Sequence, residues 1–230
     1  IERIDTGCAS NLMRVLISLT APSGGLGADI IDGGSASDVI SLTETTSSAD
    51  TVKISAVTHG SLYFDGSDSD GIINALTEDL TESTSTAFGE GDFISGFTIG
   101  TDVINITGTL DNLLEASGAT AVVSSAGFDF NAVGIAIIDN GVATTADFGD
   151  LSDVAADIDT AFATSTNAAD GDEFIVVLSN TGNTQKGIFY VKDADASSDL
   201  GLDVGDTLAL LAIVDHGTAG DFLATSIVVA

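Results

Sequence analysis

Residues 24–41 hold two consecutive nine-residue units. They read Gly24-Gly25-Leu26-Gly27-Ala28-Asp29-Ile30-Ile31-Asp32 and Gly33-Gly34-Ser35-Ala36-Ser37-Asp38-Val39-Ile40-Ser41. Both have the form Gly-Gly-x-x-x-Asp-x-Ile-x, and the first also carries glycine at its fourth place, where the second has Ala36. Glycine tolerates the positive φ of a tight turn and lets backbone carbonyls face a common point. The aspartate supplies a hard anionic oxygen, and the aliphatic residue two places on suits a short strand whose side chain enters a core. One such unit reads equally well as a glycine-rich loop with a solvated aspartate. Two in register predict successive coils of a short parallel β-roll, with a cation bound at the turns. The candidate ligands are Gly25, Gly27 and Asp29 from the first unit, with Gly34, Ala36 and Asp38 from the second. The glycines and Ala36 would act through their carbonyls.

Charge sharpens that expectation. Across 230 residues there are 35 Asp and Glu against 5 Lys and Arg, a formal net charge of −30. A highly charged chain is disordered only if it also lacks apolar residues. Here 44% are hydrophobic and the mean hydropathy is +0.39, so the chain has the material for a core. The same imbalance argues against nucleic acid and anionic membranes as partners. Roughly 30 uncompensated carboxylates must be relieved by solvent or by bound cations. A single cysteine, Cys8, leaves no intrachain disulfide framework, and a metal is the usual substitute clamp. No apolar run reaches the ~18 residues of a transmembrane helix. The start at Ile1 reads as a processed product or a piece of a longer chain.

Composition favours strands: one Pro, 26 Gly and abundant Ser, Thr, Val and Ile. Strands are expected at 50–54, 62–64, 120–124, 133–139, 174–178, 187–192, 207–214 and 222–229, with a hairpin turn at Asn180–Asn183. Residues 91–106 read as two strands flanking a Gly-Thr-Asp turn. Leu151, Val154, Ile158 and Phe162 recur at helical spacing and predict one amphipathic helix at about 151–163, with Asp153, Asp157 and Asp159 on its solvated side. Asp65-Gly66-Ser67-Asp68-Ser69-Asp70-Gly71 fails as an EF-hand loop, because Gly66 and Thr77 fall where acids are needed. It reads as a surface turn.

The nonapeptides, the Asp92-Phe93…Gly100-Thr101-Asp102-Val103-Ile104 segment and the Gly187–Asp195, Leu208–Val214 and Ala219–Phe222 stretches together resemble the C-terminal region of RTX (repeats-in-toxin) proteins. The resemblance covers 24–42, 91–106 and 187–230. It implies an extracellular or cell-surface protein exported by type I secretion through an uncleaved C-terminal signal, folding as it meets Ca2+. It carries over to Gly24, Gly25, Gly27, Asp29, Gly33, Gly34 and Asp38; Ala36 departs from the pattern. The architecture expected is mainly β: a β-roll-containing region over 1–110, then a sandwich-like β region with one helix over 111–230.

RTX-like chains include hydrolases, adhesins and surface-layer subunits, so chemistry must be sought in the residues themselves. There is no Gly-x-Ser-x-Gly, His-Glu-x-x-His or Walker sequence. His59 and His216 stand alone and read as ordinary surface or turn residues. Asp5-Thr6-Gly7 matches the aspartic-protease tripeptide, but lacks a preceding strand and a second copy, and reads as a turn. The expectation is therefore a non-enzymatic, self-associating structural subunit of a surface layer or filament. Leu12–Leu19 and Ser226–Val229 are candidate edge strands for pairing, with ordinary core strands as the alternative. An adhesion module recognising a cell-surface glycan, or the tail of a secreted hydrolase, are the competing classes.

Overall fold

The computed structural model describes residues 12–14, 26–34, 38–57, 61–62, 91–111, 114, 120–124, 127–129, 133–138, 148, 151–165, 171–193 and 206–229. The fold is mainly β. In the first half lie β1 (Leu12–Arg14), β2 (Ile30–Asp32), β3 (Val39–Ser41), β4 (Thr51–Ile54), β5 (Ser61–Leu62), β6 (Asp92–Ser95) and β7 (Val103–Ile106), then a single-turn helix α1 (Gly108–Asp111). The second half adds β8 (Thr120–Ser124), β9 (Val133–Ile138), α2 (Leu151–Phe162), β10 (Glu173–Ser179), β11 (Gln185–Lys192), β12 (Thr207–Asp215) and β13 (Ile227–Val229).

Short strands with one or two buried positions each cannot stand alone, and they stack instead. From β2 to β7, leaving aside β5, consecutive strands alternate between two sheets. β2, β4 and β7 enter a parallel five-stranded sheet of order β1-β2-β4-β7-β13, while β3 and β6 enter the second sheet. Each strand then has its parallel neighbour one full circuit away, which is how Ile31 comes opposite Val52 and Val52 opposite Ile104. On the second sheet Ile40 lies opposite Ile94. All five of these side chains are fully buried in one core between the sheets. At about 1.5–3 kcal/mol per buried aliphatic side chain, this column is a principal stabiliser of the coils.

The second sheet has the order β3-β6-β12-β11-β10-β9-β8 with β5 beside β12, and its central strands β10, β11 and β12 are buried on both faces. Along β10, Ile175 and Val177 face the five-stranded sheet, whereas Phe174, Val176 and Leu178 face a separate cluster built with α2. That cluster takes Val154, Ile158 and Phe162 from the helix, and Phe162 meets Phe174 edge-on at 5.5 Å. The amphipathic helix expected near 151–163 thus forms the third layer. Both sheets draw strands from each side of residue 110, since β12 pairs β6 and β13 pairs β7.

Three local readings change. The strands flanking the Gly-Thr-Asp turn, β6 and β7, are not partners of one another but belong to different sheets. Of 222–229 only Ile227–Val229 is extended; Phe222 instead tucks its ring against Phe97 at 5.2 Å. His216 is buried rather than on the surface, its Nδ1 2.8 Å from the Thr218 carbonyl. The two candidate edge strands contribute β1 and β13, which stand at the two ends of the five-stranded sheet. Asp5-Thr6-Gly7, Cys8, His59 and the 65–71 turn lie outside the described residues.

Candidate metal centre

Every coil strand near the site begins at or immediately after an aspartate. Asp29, Asp50 and Asp102 stand immediately before β2, β4 and β7, and Asp38 lies directly before β3. Asp92 opens β6, one place before Phe93, the register partner of Val39. The parallel stacking turns these positions into columns. The Asp29 backbone N–H donates to Asp50 Oδ1 at 2.9 Å, and the Asp50 N–H donates to Asp102 Oδ1 at 3.0 Å. In the other sheet the Asp38 N–H donates to Asp92 Oδ1 at 2.9 Å. Each carboxylate therefore caps the main chain of the neighbouring coil.

Asp32, the last residue of β2, lies near Asp92, whose carboxylate accepts from Asp38, so β2 ends at the edge where β3 and β6 begin, opposite the edge where β2 itself begins. Asp29 and Asp38 accordingly do not share a site. Gly27 and Asp29 belong to one edge, Gly34 and Asp38 to the other; Gly25 and Ala36 lie outside the described residues. The expected turn geometry is present where it is described: φ is +106° at Gly27 and +90° at Gly34. Gly34 donates its N–H to Asp32 Oδ1 at 3.1 Å. At Gly33 the Asp38 carboxylate occupies the space of a side chain, its Oδ2 lying 2.7 Å from where a Cβ would stand.

At the first edge the polar 43–49 stretch folds back and delivers Glu44. Its Oε1 accepts the Gly27 N–H at 3.2 Å and its Oε2 the Ser48 N–H at 2.7 Å. Glu44, Asp29 and Asp50 then each offer a carboxylate oxygen, all within 4.8 Å of one another, with both aspartates buried. Burial raises the Asp50 carboxyl to about 6 despite the hydrogen bond from Asp29, and the neighbouring charges of Glu44, Asp102 and Asp29 push the same way. Asp102 is likewise raised, by burial first, although Thr98 and Asp50 both donate to it. At the opposite edge Asp92 is fully buried and its carboxyl is pushed up to about 8, chiefly by desolvation and then by Asp38 and Asp32. Its Oδ2 has no hydrogen-bond partner among the described residues.

A cluster of three mutually repelling carboxylates can hold a metal ion. Three oxygens within 4.8 Å of one another share a centre no more than about 2.8 Å from each, a small side-chain adjustment from the 2.3–2.6 Å range of calcium–oxygen bonds. Reading the sequence assigned Asp29 but missed Glu44 and Asp50. For Asp50 a signal existed: Asp-x-Ile/Val recurs at 29, 38, 50, 92 and 102, with irregular spacing outside the nonapeptides. Glu44 had none, because only the loop's return path brings it to Gly27. No protein-family model matches the chain, and no curated protein matches it either.

Proposed function

We propose that the two coil sheets are a short RTX-like β-roll whose acidic edges bind Ca2+, and that the chain is a non-enzymatic structural subunit of the cell exterior. The observation carrying this reading is the convergence of Asp29, Glu44 and Asp50. They come from different coils, so an ion held by all three would tie one coil to the next. The donor set favours calcium, since it is all hard oxygen with no imidazole or thiolate. The ion would supply countercharge and a clamp. In the low-calcium cytosol carboxylate repulsion would loosen the coils, and millimolar calcium outside would stabilise the fold, consistent with export by type I secretion. The self-assembling surface-layer or filament role rests on the β-rich, small-residue composition and on the absence of a catalytic motif from the sequence.

The test is calcium titration into chelator-treated protein, followed by thermal melting. Saturation at about 100 times the dissociation constant corresponds to about 2.7 kcal/mol. Asp50→Asn and Glu44→Gln are each expected to remove most of that gain. No rise in melting temperature at millimolar calcium defeats the cation reading. Negative-stain imaging with and without calcium tests assembly: ordered sheets or filaments support it, and dispersed particles in both conditions oppose it.

A further inference from the structure

Lys186 is one of only five basic residues, yet it is 2% exposed. It lies two places before Ile188 on β11, so its side chain takes the face turned to the core between the sheets. Its Nζ is held at 2.7 Å from Ser179 Oγ and 2.5 Å from Asn183 Oδ1, and stands 5.9 Å from the centre of the Phe222 ring. Asp221 Oδ1 lies 3.9 Å from the same nitrogen and also accepts from Asn183 Nδ2 at 2.7 Å.

The amide is fixed as firmly as the amine. Asn183 is buried, sits at φ +49°, donates its N–H to the Asn180 carbonyl at 2.8 Å and accepts from the Gly220 N–H at 3.0 Å. A buried primary amine and a buried carboxamide are thus gathered at the hairpin end with a half-exposed carboxylate that is hydrogen-bonded to the amide and 3.9 Å from the amine. Asn183 Cγ is one carbonyl bond, about 1.23 Å, beyond the oxygen that Nζ contacts. The reacting atoms are therefore close to near-attack separation.

We propose that Lys186 and Asn183 join through an intrachain isopeptide bond, with Asp221 carrying the protons. Asp221 takes one proton from the ammonium, and the freed electron pair of Nζ forms a bond to Asn183 Cγ. Asp221 then passes that proton to Nδ2 and accepts a second from the former amine. The Cγ–Nδ2 bond breaks with its electron pair on nitrogen, the carbonyl reforms, and ammonia leaves. No oxidant, reductant or cofactor is required. The product locks the turn between β10 and β11 at the end of the inter-sheet core.

The experiment is intact-mass measurement on the purified full chain, unfolded after purification, with peptide mapping. The expected result is a mass below the sequence mass by one ammonia, with Lys186 refractory to trypsin in the unfolded protein. Lys186→Met and Asn183→Ala are both expected to restore the sequence mass. Asp221→Ala is expected to restore it while leaving the circular dichroism spectrum folded. A wild-type mass equal to the sequence mass overturns the proposal without relying on any variant. An ammonia loss that persists in Lys186→Met, or that hydroxylamine cleaves at Asn183, identifies a cyclic imide and also overturns it. Loss of water between Lys186 and Asp221 assigns the bond to the wrong pair and counts against it.

Discussion

Replacing Asp92 by asparagine should make the metal-free protein more stable, and increasingly so as pH rises. The substitution keeps the Oδ1 that accepts from Asp38 and removes a charge buried beside Asp38 and Asp32. In the folded protein the Asp92 carboxyl is raised from the ordinary 3.8 to about 8. It therefore keeps its proton over a range in which the unfolded chain has already lost it. Folding takes up a proton there, and stability falls as pH climbs from about 4 to about 8. At about 1.4 kcal/mol per tenfold change in proton affinity, the full effect is on the order of 5 kcal/mol. For a chain of this length that is roughly 10–20 °C in melting temperature. The assay is thermal melting of wild type and Asp92→Asn in chelator from pH 4 to pH 9. The remaining carboxylates are common to both proteins, so the difference between the curves isolates this one. It should be small near pH 4, widen steadily and level off above pH 8. A difference that does not change with pH refutes the reasoning that Asp92 is buried and desolvated in the folded chain.

Gly33→Ala should displace the Asp38 carboxylate, because the new Cβ would stand 2.7 Å from its Oδ2. A melting comparison should find the variant destabilised, with the calcium response of the Asp29–Glu44–Asp50 edge retained. Phe174→Ala removes a 1% exposed ring that Phe162 meets edge-on, and should cost about 3–5 kcal/mol in urea unfolding. Because Phe174 lies on the helix side of the second sheet, this loss should be the same with and without calcium; a calcium-dependent loss would mean the layers are not separate.

The hairpin of β10 and β11 was legible because Asn180–Asn183 is a local turn between two apolar runs, and the helix at Leu151–Phe162 because its apolar spacing is local as well. The nonapeptides were legible for the same reason, with glycine and aspartate at fixed short distances. The pairing of coils was not. β6 and β7 are separated by seven residues and look like a hairpin, yet each pairs with a strand some fifty residues earlier. Nothing in a nine-residue window records such a partner. His216 and Lys186 were hidden similarly, since a polar side chain is read as exposed unless its enclosing residues are known.

The sequence by itself determined that the chain has the material for a core, that it is mainly β, that Asp29 and Asp38 each precede a short strand in the nonapeptides, and that its charge needs relief. Those properties depend on composition and near-neighbour spacing. The tertiary structure alone decided which carboxylates meet. Parallel stacking moves Asp50 onto Asp29 and Asp92 onto Asp38, and the return of the 43–49 loop adds Glu44 to the first pair. It also separates Asp29 from Asp38, only nine residues apart, by placing them at opposite edges. A charge is felt through space, so the candidate metal centre is a property of the circuit length and not of the repeat alone.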